Sequence, residues 1–185
     1  MDRTKNIKRI QSKMDGSKKE QERIYDLFCK QLYFTSYRIV GNSFDAEEIM
    51  HDTLLKYFKL QILFDSDKEC ERWLKRVCIN LSIDRYRKKN RELFTLLPEE
   101  KMASLKETDE HLQDIGDNNG ITPAIIKKAI ESLADGYRII LTLFLFEGYD
   151  YQEISKILNL NEVTVRSQYM RGKKRLRELL SNVKN

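Results

Sequence analysis

The chain contains only two prolines, Pro98 and Pro123, and they bracket its least foldable stretch. Residues 99–117 carry Glu99, Glu100, Glu107, Asp109, Glu110, Asp114 and Asp117 against Lys101 and Lys106, a net charge of −5. They run into Gly-Asp-Asn-Asn-Gly at 116–120. A segment with high net charge and few apolar side chains cannot bury enough surface to form a core, so it reads as a tether. The 185 residues therefore divide into a basic N-terminal tail (1–19), a helical domain (20–93), an acidic linker (94–120) and a second helical domain (121–181). The expected fold class is all-α, two small helical domains joined by that linker.

Hydrophobic residues make up 41% of the chain and charged residues 34%, with a net charge of +5, which excludes collagen-like, mucin-like and wholly disordered chains. The longest strongly apolar run, Ile139 to Phe146, is far short of the roughly 20 residues a membrane span needs, so no membrane insertion is expected. The basic start of the chain is not followed by the apolar stretch of a signal peptide. Cys29, Cys70 and Cys78 fall in or beside apolar helical stripes, which favours buried thiols over redox or metal chemistry. The expectation is a cytoplasmic protein with no metal and no cofactor.

In the first domain, Ile24, Leu27, Phe28, Leu32, Ser36, Ile39 and Val40 share one face of a helix predicted over 21–40 and ended by Gly41-Asn42. Asp45 is expected to cap a second helix, with Glu48 as its capping-box partner. Ala46, Ile49, Met50, Thr53, Leu54, Tyr57 and Phe58 form the buried stripe of that helix. On the opposite face Glu48, His51, Asp52 and Leu55 line up at i, i+3, i+4 and i+7. They are either a plain solvated face or a strip that docks a basic helix. The loop Phe64-Asp65-Ser66-Asp67-Lys68 leads to a third helix over about 69–89, with Cys70, Trp73, Leu74, Val77, Leu81 and Asp84 along one side. Between Glu71 and Arg91 stand Arg72, Lys75, Arg76, Arg85, Arg87, Lys88, Lys89 and Arg91 against Glu71 and Asp84, a net of +6. That density suggests a phosphate-binding surface, with a solvated basic helix as the other reading.

The second domain opens with Thr122 as cap and Pro123 in the first turn. Ile126, Ala129, Ile130 and Leu133 face inward, and Asp135-Gly136 is expected to break the chain before a central helix over 137–146. Asp150 and Glu153 form a capping box for a short helix. Asn159-Leu160-Asn161 makes a tight turn, and Asn161 caps the last helix, whose stripe is Val165, Tyr169, Gly172 and Leu176. A short helix, a turn and a longer helix is a helix-turn-helix. Its outer face holds Arg166, Ser167, Met170, Arg171, Lys174 and Arg175, as a helix in a DNA major groove would require. An ordinary helical hairpin with a basic surface is the plainer alternative.

Together these runs resemble a bacterial RNA polymerase sigma factor of the extracytoplasmic-function (ECF) group. Asp45-Ala-Glu-Glu-Ile-Met-His-Asp-Thr53, Trp73-Leu-Lys-Arg-Val-Cys-Ile-Asn80 and Asp84-Arg-Tyr-Arg87 are similar to sigma region 2. Glu147-Gly-Tyr-Asp-Tyr-Gln-Glu-Ile-Ser155 and Val163-Thr-Val-Arg-Ser-Gln-Tyr-Met-Arg-Gly172 are similar to region 4. The resemblance implies that Glu48, His51, Asp52 and Leu55 dock core RNA polymerase. It implies that Phe64, Asp65, Ser66, Lys68, Arg72, Arg76, Asn80, Arg87 and Lys88 hold a flipped base and the strand of the minus-10 promoter DNA. Extruding a base costs a few kcal/mol of stacking, which a shaped, basic pocket must offset. Thr164, Arg166, Ser167, Arg171 and Lys174 would read the minus-35 element. The acidic linker would run near the polymerase's RNA exit path, and an anti-sigma factor is an expected further partner.

The chain departs from the family pattern at His51, where glutamine is usual, at Ala134, where proline is usual, at Asn159, where glycine is usual, and at Gly172, where alanine is usual. None of these removes a group the function requires. The other reading is a stand-alone helix-turn-helix regulator with an N-terminal sensor domain. An enzyme is disfavoured, because the sequence offers no paired carboxylates at metal spacing, no nucleophile–base pair and no phosphate loop.

Overall fold

The computed structural model describes the backbone of residues 3–60, 62, 64–89 and 122–182, and the side chains of these from Lys18 to Ser181 except Pro123. The acidic linker lies outside the described residues. The chain divides into two units, Met1–Tyr86 and Arg87–Asn185. The first contains α1 (Arg3–Val40), α2 (Ser43–Leu60) and α3 (Asp67–Lys89), whose last turn crosses the divide. The second contains α4 (Pro123–Glu131), α5 (Asp135–Leu141), α6 (Tyr151–Leu158) and α7 (Glu162–Asn182). Among the described residues there is no strand, and no helix is long and apolar enough to cross a membrane.

In the first unit α1 and α2 form an antiparallel hairpin across Gly41, which takes the positive φ of 77° that glycine adopts without steric cost. The core is built from Ile24, Phe28 and Leu32 of α1, Ile49, Met50 and Leu54 of α2, and Cys70, Leu74 and Cys78 of α3. Small polar groups sit where the helices cross. The Ser36 hydroxyl donates to the Ala46 carbonyl at 2.9 Å, and the Cys78 thiol to the Leu32 carbonyl at 3.4 Å. Leu27 departs from its expected place in the stripe and is half exposed. It lies on the α1 flank between two polar ties to α3, Arg23–Asp67 and Gln31–Glu71. Asp84, expected along the buried side of α3, is exposed.

Helix α1 also starts far earlier than Gln21. Residues 3–20 hold no proline and are rich in Lys and Arg, which are good helix formers. Asp45 does not cap α2. The Asn42 side chain takes that place by accepting the Asp45 backbone N–H at 2.8 Å. Asp45 is instead buried, and it and Glu48 both accept from Nη1 of Arg85 on α3, each at 2.8 Å.

In the second unit Thr122 accepts from the Ile125 N–H, as a cap should. The chain then breaks at Ser132–Ala134, before Asp135. Asp135-Gly136 is helical, because Asp135 occupies the first turn of α5, where it pairs with the buried Arg138. The central helix is interrupted as well: Thr142–Phe146 widens into a π-helical turn, with Glu147 N–H donating to the Thr142 carbonyl at 3.3 Å. Ile139, Ile140, Leu141 and Leu143 remain buried, while Phe146 emerges. Both bonds of the Asp150–Glu153 capping box are present at the start of α6. Asn159 ends α6 in the left-handed conformation, φ 50°. Asn161 accepts the Val163 N–H at 3.0 Å to open α7. A Cβ on Gly172 would lie 3.1 Å from the Tyr137 Cβ and 3.3 Å from a Leu141 methyl, so α7 crosses α5 at glycine distance.

Two stability outcomes follow. Arg85→Met leaves the buried Asp45 carboxylate without its opposite charge and is expected to cost about 3 kcal/mol, lowering the thermal midpoint of the first unit by roughly 10 °C or more. Gly172→Ala is expected to show no net stabilisation in a denaturant melt. The gain in helix propensity of about 1 kcal/mol meets an overpacking cost of about 1–3 kcal/mol at Tyr137.

Candidate polymerase- and DNA-binding surfaces

On α2, residues 48, 51, 52 and 55 face solvent together. His51 and Asp52 make no ion pair among the described residues, and Leu55 is half exposed. Glu48 is shared with the fold through Arg85. The structure adds Phe44, four residues before Glu48 on the same face and 76% exposed. The face is thus an acidic strip with an apolar side chain at each end. Sequence reasoning missed Phe44 because it lies beside the turn, outside the matched run, although its i, i+4, i+7 and i+11 spacing to Glu48, His51 and Leu55 was the available signal.

On α3 the basic residues divide by role. Arg85 is taken by Asp45 and Glu48, and Lys75 lies 3.5 Å from Glu71. Arg72, Arg76, Asn80 and Lys88 are exposed, and Arg87 is half-buried. Lys68, Arg72, Arg76 and Asn80 recur every four residues, so they make one basic stripe leading from the 64–68 loop. In that loop Asp65, Ser66 and Lys68 are exposed. Phe64 is half-buried, its ring stacked on Tyr57 with centroids 6.1 Å apart and tilted against Trp73 at 6.0 Å. Trp73 is therefore an anchor for the loop as well as for the core. Burial pushes the Tyr57 hydroxyl up to about 12 and raises the Cys70 thiol beside it, which keeps Cys70 protonated and unreactive at neutral pH. All three cysteines are free thiols, Cys70 and Cys78 buried and Cys29 partly so.

On α7, Thr164, Ser167, Arg171 and Lys174 follow one another at i, i+3, i+7 and i+10 and share one arc. Arg166 stands off that arc. Its Nε and Nη2 donate to Glu162 at 3.1 and 2.9 Å, and its guanidinium lies 4.9 Å from the Tyr151 ring centre. Tyr151 is itself packed with Phe144 and Tyr169, so the small aromatic cluster under the turn sets where Arg166 sits. Arg171 and Lys174 border a cavity of about 470 Å³ lined also by Leu133, Ala134 and Tyr137. Of the other basic residues, Lys173 is turned inward and Arg175 pairs with Glu178 at 2.8 Å. The basic count along α7 therefore overstates what faces outward.

Residues 24–92 match the family described as sigma-70 region 2, and residues 124–176 the family described as sigma-70, region 4. Among curated proteins, the chain is 27% identical over 186 residues to the ECF RNA polymerase sigma factor SigW of Bacillus subtilis, covering 95% of this chain and 97% of that one. It is 30% identical over 151 residues to the ECF RNA polymerase sigma factor SigE of Mycolicibacterium smegmatis, covering 82% of this chain and 58% of the other. A solved structure, the sigma factor RpoE in complex with the anti-sigma factor NepR from Bartonella quintana, shares the fold with a TM-score of 0.52 at 22% identity, covering 88% of this chain and 98% of that one. The region 2 match spans the whole helical core of the first unit, where the regulator reading requires a sensor domain. With region 2 followed by region 4 along one chain, and relatives of one group matching nearly its full length, the chain belongs to the sigma-70 family of RNA polymerase sigma factors, in its extracytoplasmic-function group.

Proposed function

We propose that the chain binds core RNA polymerase through the exposed face of α2, holds the minus-10 element with the 64–68 loop and the basic stripe of α3, and reads the minus-35 element with α7. It thereby starts transcription at its own promoters and acts in the cytoplasm, where polymerase and promoter DNA are. It carries out no bond chemistry of its own, and an anti-sigma factor is its expected regulator.

The observation that carries this reading is the α2 face. The buried stripe of α2 already accounts for the fold, so the exposed Leu55 and Phe44, with His51 and Asp52 between them, are available to a partner. Apolar centres with a charged rim are what a docked basic helix uses: the apolar groups supply burial, and the acids supply orientation and on-rate. In the minus-10 group, Arg72, Arg76, Asn80, Arg87 and Lys88 supply the cationic lining for the strand. Phe64, Asp65, Ser66 and Lys68 supply the shaped edge against which an extruded base rests. In region 4, Arg166, held by Glu162 and Tyr151, and Arg171 are assigned to base edges. Lys174, nearer the C-terminal end, is assigned to a phosphate.

Two outcomes test these assignments. Asp52→Arg sets like charges together at the interface, which costs several kcal/mol, while an exposed substitution moves fold stability by only about 0.5 kcal/mol. A pull-down of core polymerase should therefore fail with a normal thermal melt, and Leu55→Ala should weaken it to a smaller degree. On α7, Arg166→Ala and Arg171→Ala should each reduce discrimination among minus-35 sequences by about 1–3 kcal/mol. Lys174→Ala should instead weaken all sequences alike and reduce the salt slope of binding by about one. Equal effects of all three on every promoter contradict the groove assignment.

A further inference from the structure

The 64–68 loop is held at both of its ends, by different means. At the start, Phe64 is wedged between Tyr57 at 6.1 Å and Trp73 at 6.0 Å. At the end, Arg23 of α1 reaches across to Asp67 with a two-bond fork, Nη1 to Oδ2 and Nη2 to Oδ1, both 2.9 Å. Arg23 is in turn fixed on its own helix by Glu20, which accepts from Nε at 3.1 Å and Nη2 at 2.8 Å. Only Asp65 and Ser66 lie between the two anchors. Ser66 is also committed to the first turn of α3, accepting the Glu69 N–H through its hydroxyl at 3.3 Å and through its carbonyl at 3.1 Å.

We propose that Arg23, fixed by Glu20 and forked onto Asp67, is a positioning residue for minus-10 recognition, setting where Asp65 and Ser66 stand when the extruded base arrives. This rests on the reading of the 64–68 loop as the base-holding element. The physical case is a mismatch between effort and stability. Arg23 and Asp67 are about half exposed, 45% and 56% of their side chains, and an ion pair in that setting adds little to folding. Yet the fork spends all the side-on and end-on geometry of one guanidinium on two carboxylates. That arrangement fixes direction as well as distance, which a lysine ammonium does not do. A base-holding edge must be placed to within about half an ångström before it discriminates. The middle of α1, where Arg23 stands, and the first turn of α3 are the two rigid bodies available to place it. The Arg23 hydrogen bonds lower the pKa of both Asp67 and Glu20, which favours the ionised form of the clamp. No part of region 4 and no part of the α2 strip takes part in it.

The test uses holoenzyme reconstituted from the full chain and its core polymerase, on a promoter mapped from that holoenzyme's own transcript starts. Open-complex formation is measured with the native base and with each substitution at the extruded minus-10 position. Arg23→Ala is expected to lower the ratio between native and substituted bases by roughly tenfold, with core-polymerase affinity and the melting midpoint unchanged. Arg23→Lys, which keeps the charge and loses the fork, is expected to recover only part of the ratio. Asp65→Ala is run beside them as a probe of the loop itself. A lost ratio in Asp65→Ala with an unchanged ratio in Arg23→Ala overturns the clamp and leaves the loop reading standing. Unchanged ratios in both overturn the loop reading, and the clamp with it. A uniform slowing of Arg23→Ala on every promoter, with a lowered melt, makes Arg23 structural and overturns the proposal.

Discussion

The first unit depends on one guanidinium. Arg85 leaves the basic surface of α3 and binds two carboxylates at the start of α2, the buried Asp45 and the exposed Glu48. A carboxylate as deeply buried as Asp45 is tolerated only because it is paired and hydrogen-bonded, by Arg85 on one side and Asn42 on the other. Removing the pairing strands a charge in the core, so α2 and α3 cannot slip or rotate against each other without breaking it. The apolar core alone is less exacting, since leucines and isoleucines repack at modest cost.

That fixed rotation sets what each helix shows to solvent. With Asp45 and Glu48 both held by Arg85 at the edge of the α2–α3 contact, the outer flank of α2 beside them is left to present His51, Asp52 and Leu55, with Phe44 one turn before Glu48. With Arg85 turned toward α2, the stripe from Lys68 to Asn80 is left on another side of α3. The same pair therefore separates an acidic, partly apolar face from a basic one within a single small bundle. An acidic face suits a basic protein partner and a basic face suits phosphate. In the second unit the equivalent constraint is steric. Gly172 lets α7 lie against Tyr137 and Leu141, and this crossing fixes which residues of α7 point away.

What the sequence made legible was whatever local chemistry decides. The Asp150–Glu153 capping box, the tight turn from Asn159 to Asn161 and the Asn161 cap each depend on partners within a few residues, and all three stand as expected. The apolar stripes of α2 and α7 were readable for the same reason. The misreadings at Asp45 and Leu27 have distant partners. Asp45 looked like a cap because Asp at that spacing usually is one, and Arg85, forty residues on, was invisible to a local pattern. Leu27 fits the stripe by period, but it stands at the edge of the α1–α3 contact, between the polar ties of Arg23 and Gln31, and is left half exposed. Asp135-Gly136 looked like a break because Gly ends helices, whereas Arg138 three residues on makes Asp135 a good first-turn residue. The Arg23–Asp67 fork, 44 residues apart, belongs to the same class.

The central claim is that this chain finds promoters only together with core RNA polymerase. It is tested most directly by incubating the full chain with genomic DNA and core enzyme, and sequencing the 5′ ends of the transcripts made. The account predicts discrete starts, each preceded by a shared minus-35 and minus-10 pair, and no specific DNA protection by the chain alone. Specific protection of DNA without polymerase, or starts no different from those of core enzyme by itself, would contradict it.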